Sequence, residues 1–184
     1  MSNRVASAIV EITTLLVATA SAAAACGPRP EKGWIELLDQ VHGFCFWYPP
    51  TYKTQANRDF PKDRQTLLTL TTDQPRNATL ADKEFAYLAV YLLPGAFNLK
   101  SLIPDAPTGY DTPPRPLHFG ANIFYYYGPG GGGVAYPDMY YFNLHGRALE
   151  LVFAGPFPGD DKSPNAATQA IEKLILSSFK LIRR

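Results

Sequence analysis

Residues 43–50 read Gly-Phe-Cys-Phe-Trp-Tyr-Pro-Pro and narrow the fold more than any other segment. Five large or apolar residues in succession, Phe44 to Tyr48, leave no polar side to turn toward water. Both sides of the chain must therefore be covered, and the proline pair Pro49-Pro50 ends the run. The segment reads as a strand enclosed between two layers.

The rest of the chain is cut into comparably short pieces. Its 17 Pro and 14 Gly supply turns at a density that suits a sheet-rich protein better than a helical bundle. Residues 66–72 (TLLTLTT) form a β-branched strand, and residues 85–93 (FAYLAVYLL) form another, stopped by Pro94-Gly95. Residues 117–127 read as one strand with Phe119, Ala121, Ile123, Tyr125 and Tyr127 on one face. Residues 136–144 and 147–153 form a hairpin across His145-Gly146. Residues 52–63 and 98–116 read as loops, and the glycine run 128–133 as a flexible linker. Two helices flank the strands. Residues 34–41 carry apolar side chains at 34, 35, 37, 38 and 41, the spacing of a short amphipathic helix. After the N-cap and proline pair Ser163-Pro164, one apolar stripe joins Ala167, Ala170, Ile171, Leu174 and Ile175. Residues 178–182 form a short closing strand or packed tail. The order predicts an α+β protein, mostly antiparallel sheet, with the short N-terminal helix and the C-terminal helix packed on it.

The first 25 residues have another character. Arg4 provides a small positive n-region, residues 12–18 (ITTLLVA) an apolar h-region, and small residues follow, as in a secretory signal peptide. The apolar part is too short for a spanning helix. Ala20-Ser21-Ala22 and Ala22-Ala23-Ala24 both fit the A-x-A cleavage pattern. Ala23-Ala24-Ala25-Cys26 also resembles a bacterial lipobox, with Ala23 standing where Leu is usual. Residues 1–25 are thus expected to be a leader, 26–33 a tether, and 34–184 a single domain in the envelope or outside the cell. The two cysteines, Cys26 and Cys45, give two exclusive fates. Either Cys26 is acylated and anchors the chain to a membrane, or it bridges Cys45, closing a loop of about 20 residues worth roughly 3 kcal/mol.

Two segments carry a family likeness. Residues 41–49 (VHGFCFWYP) resemble the opening strand of Mog1/PsbP-like domains, and residues 171–180 (IEKLILSSFK) are similar to their closing helix, which often ends in Ser-Phe. The 136–153 hairpin also fits. The resemblance implies a Mog1/PsbP-like α/β/α sandwich and a non-enzymatic role, since members include photosystem assembly subunits, a Ran-binding protein and envelope lipoproteins. It carries no catalytic residue to any position here.

Chemistry is sparse. With 17 basic and 16 acidic residues the formal charge is +1, which gives no footprint for nucleic acid or anionic membrane. His42, His118 and His145 are far apart in sequence and suit turns better than a metal site. Asp160-Asp161 lacks the spacing of a calcium loop. No G-x-S-x-G occurs, Cys45 has no activating flank, and the glycine run lacks the Lys-Ser/Thr ending of a phosphate loop. No cofactor and no enzyme activity are expected. The most suggestive feature is a set of tyrosines around the glycine run, from which Tyr126, Tyr136 and Tyr141 are the candidate binding surface. The leader, the near-zero charge, the missing active site and the Mog1/PsbP-like resemblance together point to a non-catalytic envelope domain, a partner-binding or assembly/accessory lipoprotein. The alternatives are a carbohydrate-binding module using those tyrosines and an enzyme with an unrecognised site.

Overall fold

The computed structural model describes residues 26–55, 63–72, 87–102, 114–128, 137–154 and 166–182. Its strands are β1 (Ile35–Asp39), β2 (Phe44–Tyr48), β3 (Tyr52–Thr54), β4 (Gln65–Thr72), β5 (Tyr87–Leu92), β6 (Arg115–Phe119), β7 (Asn122–Tyr127), β8 (Asp138–Leu144), β9 (Arg147–Ala154) and β10 (Lys180–Leu181). The helices are α1 (Leu99–Leu102) and α2 (Ala166–Ser178). They make an α+β fold with two antiparallel sheets, one in the order β3-β4-β5-β9-β8-β7-β6 and a small one in the order β1-β2-β10.

The small sheet and α2 lie over one face of the large sheet. Phe44 and Phe46 of β2 meet Phe124 and Phe142 of the large sheet around Phe179, whose ring lies 4.9 Å from Phe142 and 5.6 Å from Phe44. Ile175 and Leu176 of α2 are fully buried in the same core. All five residues of β2 are buried, as its unbroken apolar run requires. Its two faces bury different things. Phe44 and Phe46 stack on Phe179, while Cys45 is bonded to Cys26 and Arg29 lies over Trp47, all within one buried cluster but for Arg29. The segment expected as a tether, 26–33, is thus held at Cys26 and Arg29, while Pro28 and residues 31–33 are exposed.

The expected N-terminal helix over residues 34–41 is instead strand β1, paired with β2 from Ile35↔Tyr48 to Asp39↔Phe44. The apolar spacing misled because it does not mark a buried stripe: Val41 is 77% exposed, and Ile35 and Leu38 are exposed too. β2 needs an edge partner, and the tight turn at residues 40–43 supplies one. Asp39 caps that turn by accepting from the His42 amide at 2.9 Å. Residues 117–127 are likewise not one strand. Gly120, with φ 61°, and Ala121 turn the chain back, so that β6 pairs with β7 from Arg115↔Tyr126 to Phe119↔Asn122. The stretch read as polar loop after Pro50 contains β3, which pairs with the end of β4. α1 interrupts the long loop that follows β5.

The hairpin across His145-Gly146 forms as read. Both residues take positive φ, 52° and 86°, as a two-residue primed turn demands, and Asn143 Oδ1 accepts from the Gly146 amide at 2.8 Å. The strands at 65–72 and 87–92, the helix ending at Ser178 and the short closing strand also form. The glycine run beyond Gly128, Asp160-Asp161 and Ser163-Pro164 lie outside the described residues.

Candidate functional site

The second face of the large sheet carries a row of side chains across four adjacent strands. Tyr91 of β5 pairs with Glu150 of β9, Glu150 with Tyr141 of β8, and Tyr141 with Tyr125 of β7. Residues of equal register on neighbouring strands share a face, so these four form one line. The connection after β5 rises beside it, with Phe97 packing on Tyr125 at 5.8 Å and Leu102 against the Tyr127–Tyr141 cluster. Between floor and wall lies a cleft of about 400 Å³, lined by Arg64, Ser101, Leu102, Met139, Tyr141 and Glu150 among others. That volume falls within the range of small-ligand sites.

Glu150 is the unusual member of the row. It is 2% exposed in the middle of an apolar strand, and Arg64 Nη1 donates to its Oε2 at 2.5 Å. Arg64 sits just before β4, with its guanidinium 5.4 Å from the Tyr91 ring centroid and its Nε 3.5 Å from Asp63. Burial pushes the Glu150 carboxyl above its usual range, against the charge of Arg64 and a hydrogen bond from Tyr141. The cleft thus has an ion pair and Tyr141 at its base and a partly apolar wall of Leu93, Ala96 and Leu102. A carboxylate and a guanidinium held in fixed relation can orient a polar group that enters. Ser101 lines the cleft too, but its hydroxyl donates to Asn98 O at 2.9 Å, within its own turn. His42, His118 and His145 lie at the β1–β2 turn, on β6 and at the β8–β9 turn, so the three histidines do not converge on it.

The other face holds a second polar group. Tyr126 of β7 and Tyr140 of β8 pair across the strands, with rings 5.1 Å apart. Tyr126 donates to Asp138 Oδ1 at 2.6 Å, and Tyr140 to Glu172 Oε2 of α2 at 3.4 Å. Arg115 stacks 5.0 Å from the Tyr126 ring centroid. Glu172 is 3% exposed and its Oε1 has no hydrogen-bond partner. Burial first, and the neighbouring Asp138 second, push its carboxyl up to about 8. Near neutrality it is largely a protonated acid packed against two tyrosines.

The candidate tyrosines do not make one surface. Tyr126 and Tyr141 lie on opposite faces of the large sheet, and Tyr141 is 2% exposed, because successive positions in paired strands alternate sides. Tyr141 instead lines the cleft. Tyr136 lies outside the described residues. Arg64 and Glu150 were missed in the sequence, yet Glu150 left a signal: a single acid inside Leu149–Phe153 of a strand read as apolar. Glu172 left one too, since residues 172, 175, 176 and 179 share the helical stripe that enters the core.

Among the described residues, Cys26, Glu36 and Cys45 bring three donor atoms within 4.8 Å of one another. The two sulfurs are joined in a disulfide, with Cα atoms 5.6 Å apart, so only the carboxylate is left as a ligand. No described helix is long and apolar enough to cross a membrane. No protein-family model, curated protein or solved structure matches this chain.

Proposed function

We propose that this is an exported, non-catalytic domain of the cell envelope that binds a partner protein through the cleft over Glu150 and Tyr141. The observation that carries the reading is the Arg64–Glu150 pair, in which a buried carboxylate meets a half-buried guanidinium at the cleft. Such a pair is a weak source of stability, because desolvating the carboxylate offsets much of the attraction. Its position at the base of an open cleft suits recognition better than packing. A short polar segment of a partner, entering beside Arg64 and Ser101, would meet both donors and acceptors there.

The finer assignment to a Mog1/PsbP-like domain is part of the same proposal. It draws support from the two segments that carry the resemblance, which pack together: Ser178 Oγ accepts from the Trp47 amide at 2.9 Å, and Phe179 stacks on Phe44. The carbohydrate-binding reading loses its footing, since Tyr126 and Tyr141 cannot present a common platform. An enzyme would need a nucleophile beside a base, whereas the hydroxyl of Ser101 is engaged with Asn98.

Quantitative pull-down from envelope extracts tests the proposal, comparing the mature protein with Arg64→Gln and with Lys53→Gln, an exposed change on β3. A species retained by the wild type and by Lys53→Gln but lost with Arg64→Gln supports it. Equal retention by all three places recognition elsewhere.

A further inference from the structure

Cys26 is 1% exposed, an unexpected state for a residue preceding a proline-rich stretch. Gly27, with φ 78°, turns the chain at once, and a side chain there would meet the end of Lys180. Pro28 and Pro30 then lie near Leu174 and Ser177 of α2, and Arg29 stacks 5.1 Å from the Trp47 ring centroid. The Cys26 sulfur is bonded to Cys45. The Cys26 backbone nitrogen donates to Glu36 Oε1 at 2.8 Å, and Glu36 has no ion pair with a Lys, Arg or His among the described residues.

We infer that the mature chain begins at Cys26, with its α-ammonium docked on Glu36 and its sulfur bridged to Cys45 rather than acylated. The inference rests on the export reading, because an ammonium forms there only if the leader is removed. Three observations lead to it. An acylated cysteine must send its thioether lipid outward to a bilayer, and this side chain is enclosed. The residues that follow an anchored cysteine serve as a free linker, whereas here Arg29 lies over Trp47 of β2, and Pro28 and Pro30 face α2 across a small cavity. A peptide N–H gives Glu36 one neutral donor, whereas an ammonium gives it the opposite charge it otherwise lacks.

The steps balance. Ala23-Ala24-Ala25 supplies an A-x-A pattern directly before Cys26. Water adds across the Ala25–Cys26 peptide bond, leaving a carboxylate on the leader and an ammonium on Cys26. The two thiols then lose two protons and two electrons to an oxidised dithiol carrier of the export compartment. Its disulfide is reduced as the protein's disulfide forms.

The full chain, carrying a C-terminal affinity tag and expressed in a bacterium competent for export, provides the test. Recovered protein is sequenced from its N-terminus and weighed intact before and after reduction. The expected result is an N-terminus at Cys26, no lipid, and a gain of two hydrogens on reduction. A diacylglyceryl or triacyl adduct on Cys26 overturns the inference while leaving export standing. A start at Ala23 or Ala25 removes the ammonium from Glu36 and overturns that assignment. An unprocessed chain retained in the cytosol contradicts the export reading itself. As a second measurement, Glu36→Gln should lower the melting temperature by about 3 °C in the chain starting at Cys26. It should lower it distinctly less in a chain keeping Ala24-Ala25 ahead of Cys26; equal losses argue against the docked ammonium.

Discussion

Glu150 and Glu172 are buried acids on opposite faces of one sheet, and they are stabilised by different means. Burial pushes both carboxyls up, but Arg64 opposes this at Glu150, whereas at Glu172 the neighbouring Asp138 adds to it. Removing the cation should therefore matter. Arg64→Ala leaves a buried carboxylate uncompensated and is expected to cost about 3 kcal/mol in denaturant unfolding, with Arg64→Met/Glu150→Met recovering much of it. Glu172 makes a pH prediction. The folded chain keeps its proton up to about pH 8, while the unfolded chain releases it near the ordinary value of 4.5. Its contribution to stability is thus complete below the lower value and lost as pH rises through the upper one. Between pH 5 and 8 the wild type should lose on the order of 2–4 kcal/mol through this group, a slope that Glu172→Gln flattens. A wild type whose melting temperature rises across that interval, or a Glu172→Gln variant with the same fall, contradicts the assignment. Neither acid was singled out in the sequence, although Glu150 stands alone in an apolar strand, and the partner of Glu150 left no local signal. Arg64 lies 86 residues away, a separation that no local pattern encodes.

Among the elements, those fixed by local chemistry were readable. His145-Gly146 sets its hairpin, the apolar run sets β2, and helical spacing marks α2, although its buried face runs through Glu172, Ile175 and Leu176 and leaves Ala170 exposed. Segments whose state depends on a distant partner were not. Residues 35–39 satisfy helical spacing, yet they become a strand because β2 offers an open edge. Residues 117–127 alternate as one strand, but Gly120 folds them back, so Phe119 and Phe124 face the same core. The joint between α2 and β2 turns on Ser178, whose hydroxyl accepts from the Trp47 amide and donates to Ile175 O at 2.7 Å. Ser178→Ala should strand the buried Trp47 N–H and cost about 1–2 kcal/mol in thermal or chemical unfolding, whereas Ser177→Ala, one residue earlier and exposed, should cost under about 0.5 kcal/mol. Similar losses at both positions would mean that the joint does not depend on this hydroxyl.

Over the whole molecule, the disulfide ties the first described residue to the central strand of the small sheet, across a sequence separation of 19. Reducing it in the mature protein should lower the unfolding free energy by about 3 kcal/mol, read as a shift of the denaturant midpoint. An unchanged midpoint would mean that the cross-link adds nothing to the stability of the fold. The large sheet is then a two-sided platform. One face is closed by α2 and the small sheet, and the other presents a cleft whose base is the Arg64–Glu150 pair. Partner recognition through that cleft is tested most directly by placing a photo-crosslinking residue at Ser101, on its wall, in the protein exported by living cells. A discrete protein adduct is expected from position 101, disappearing with Arg64→Gln, and none from the same probe at Lys53. No adduct from position 101, or the same adduct from both positions, would contradict it.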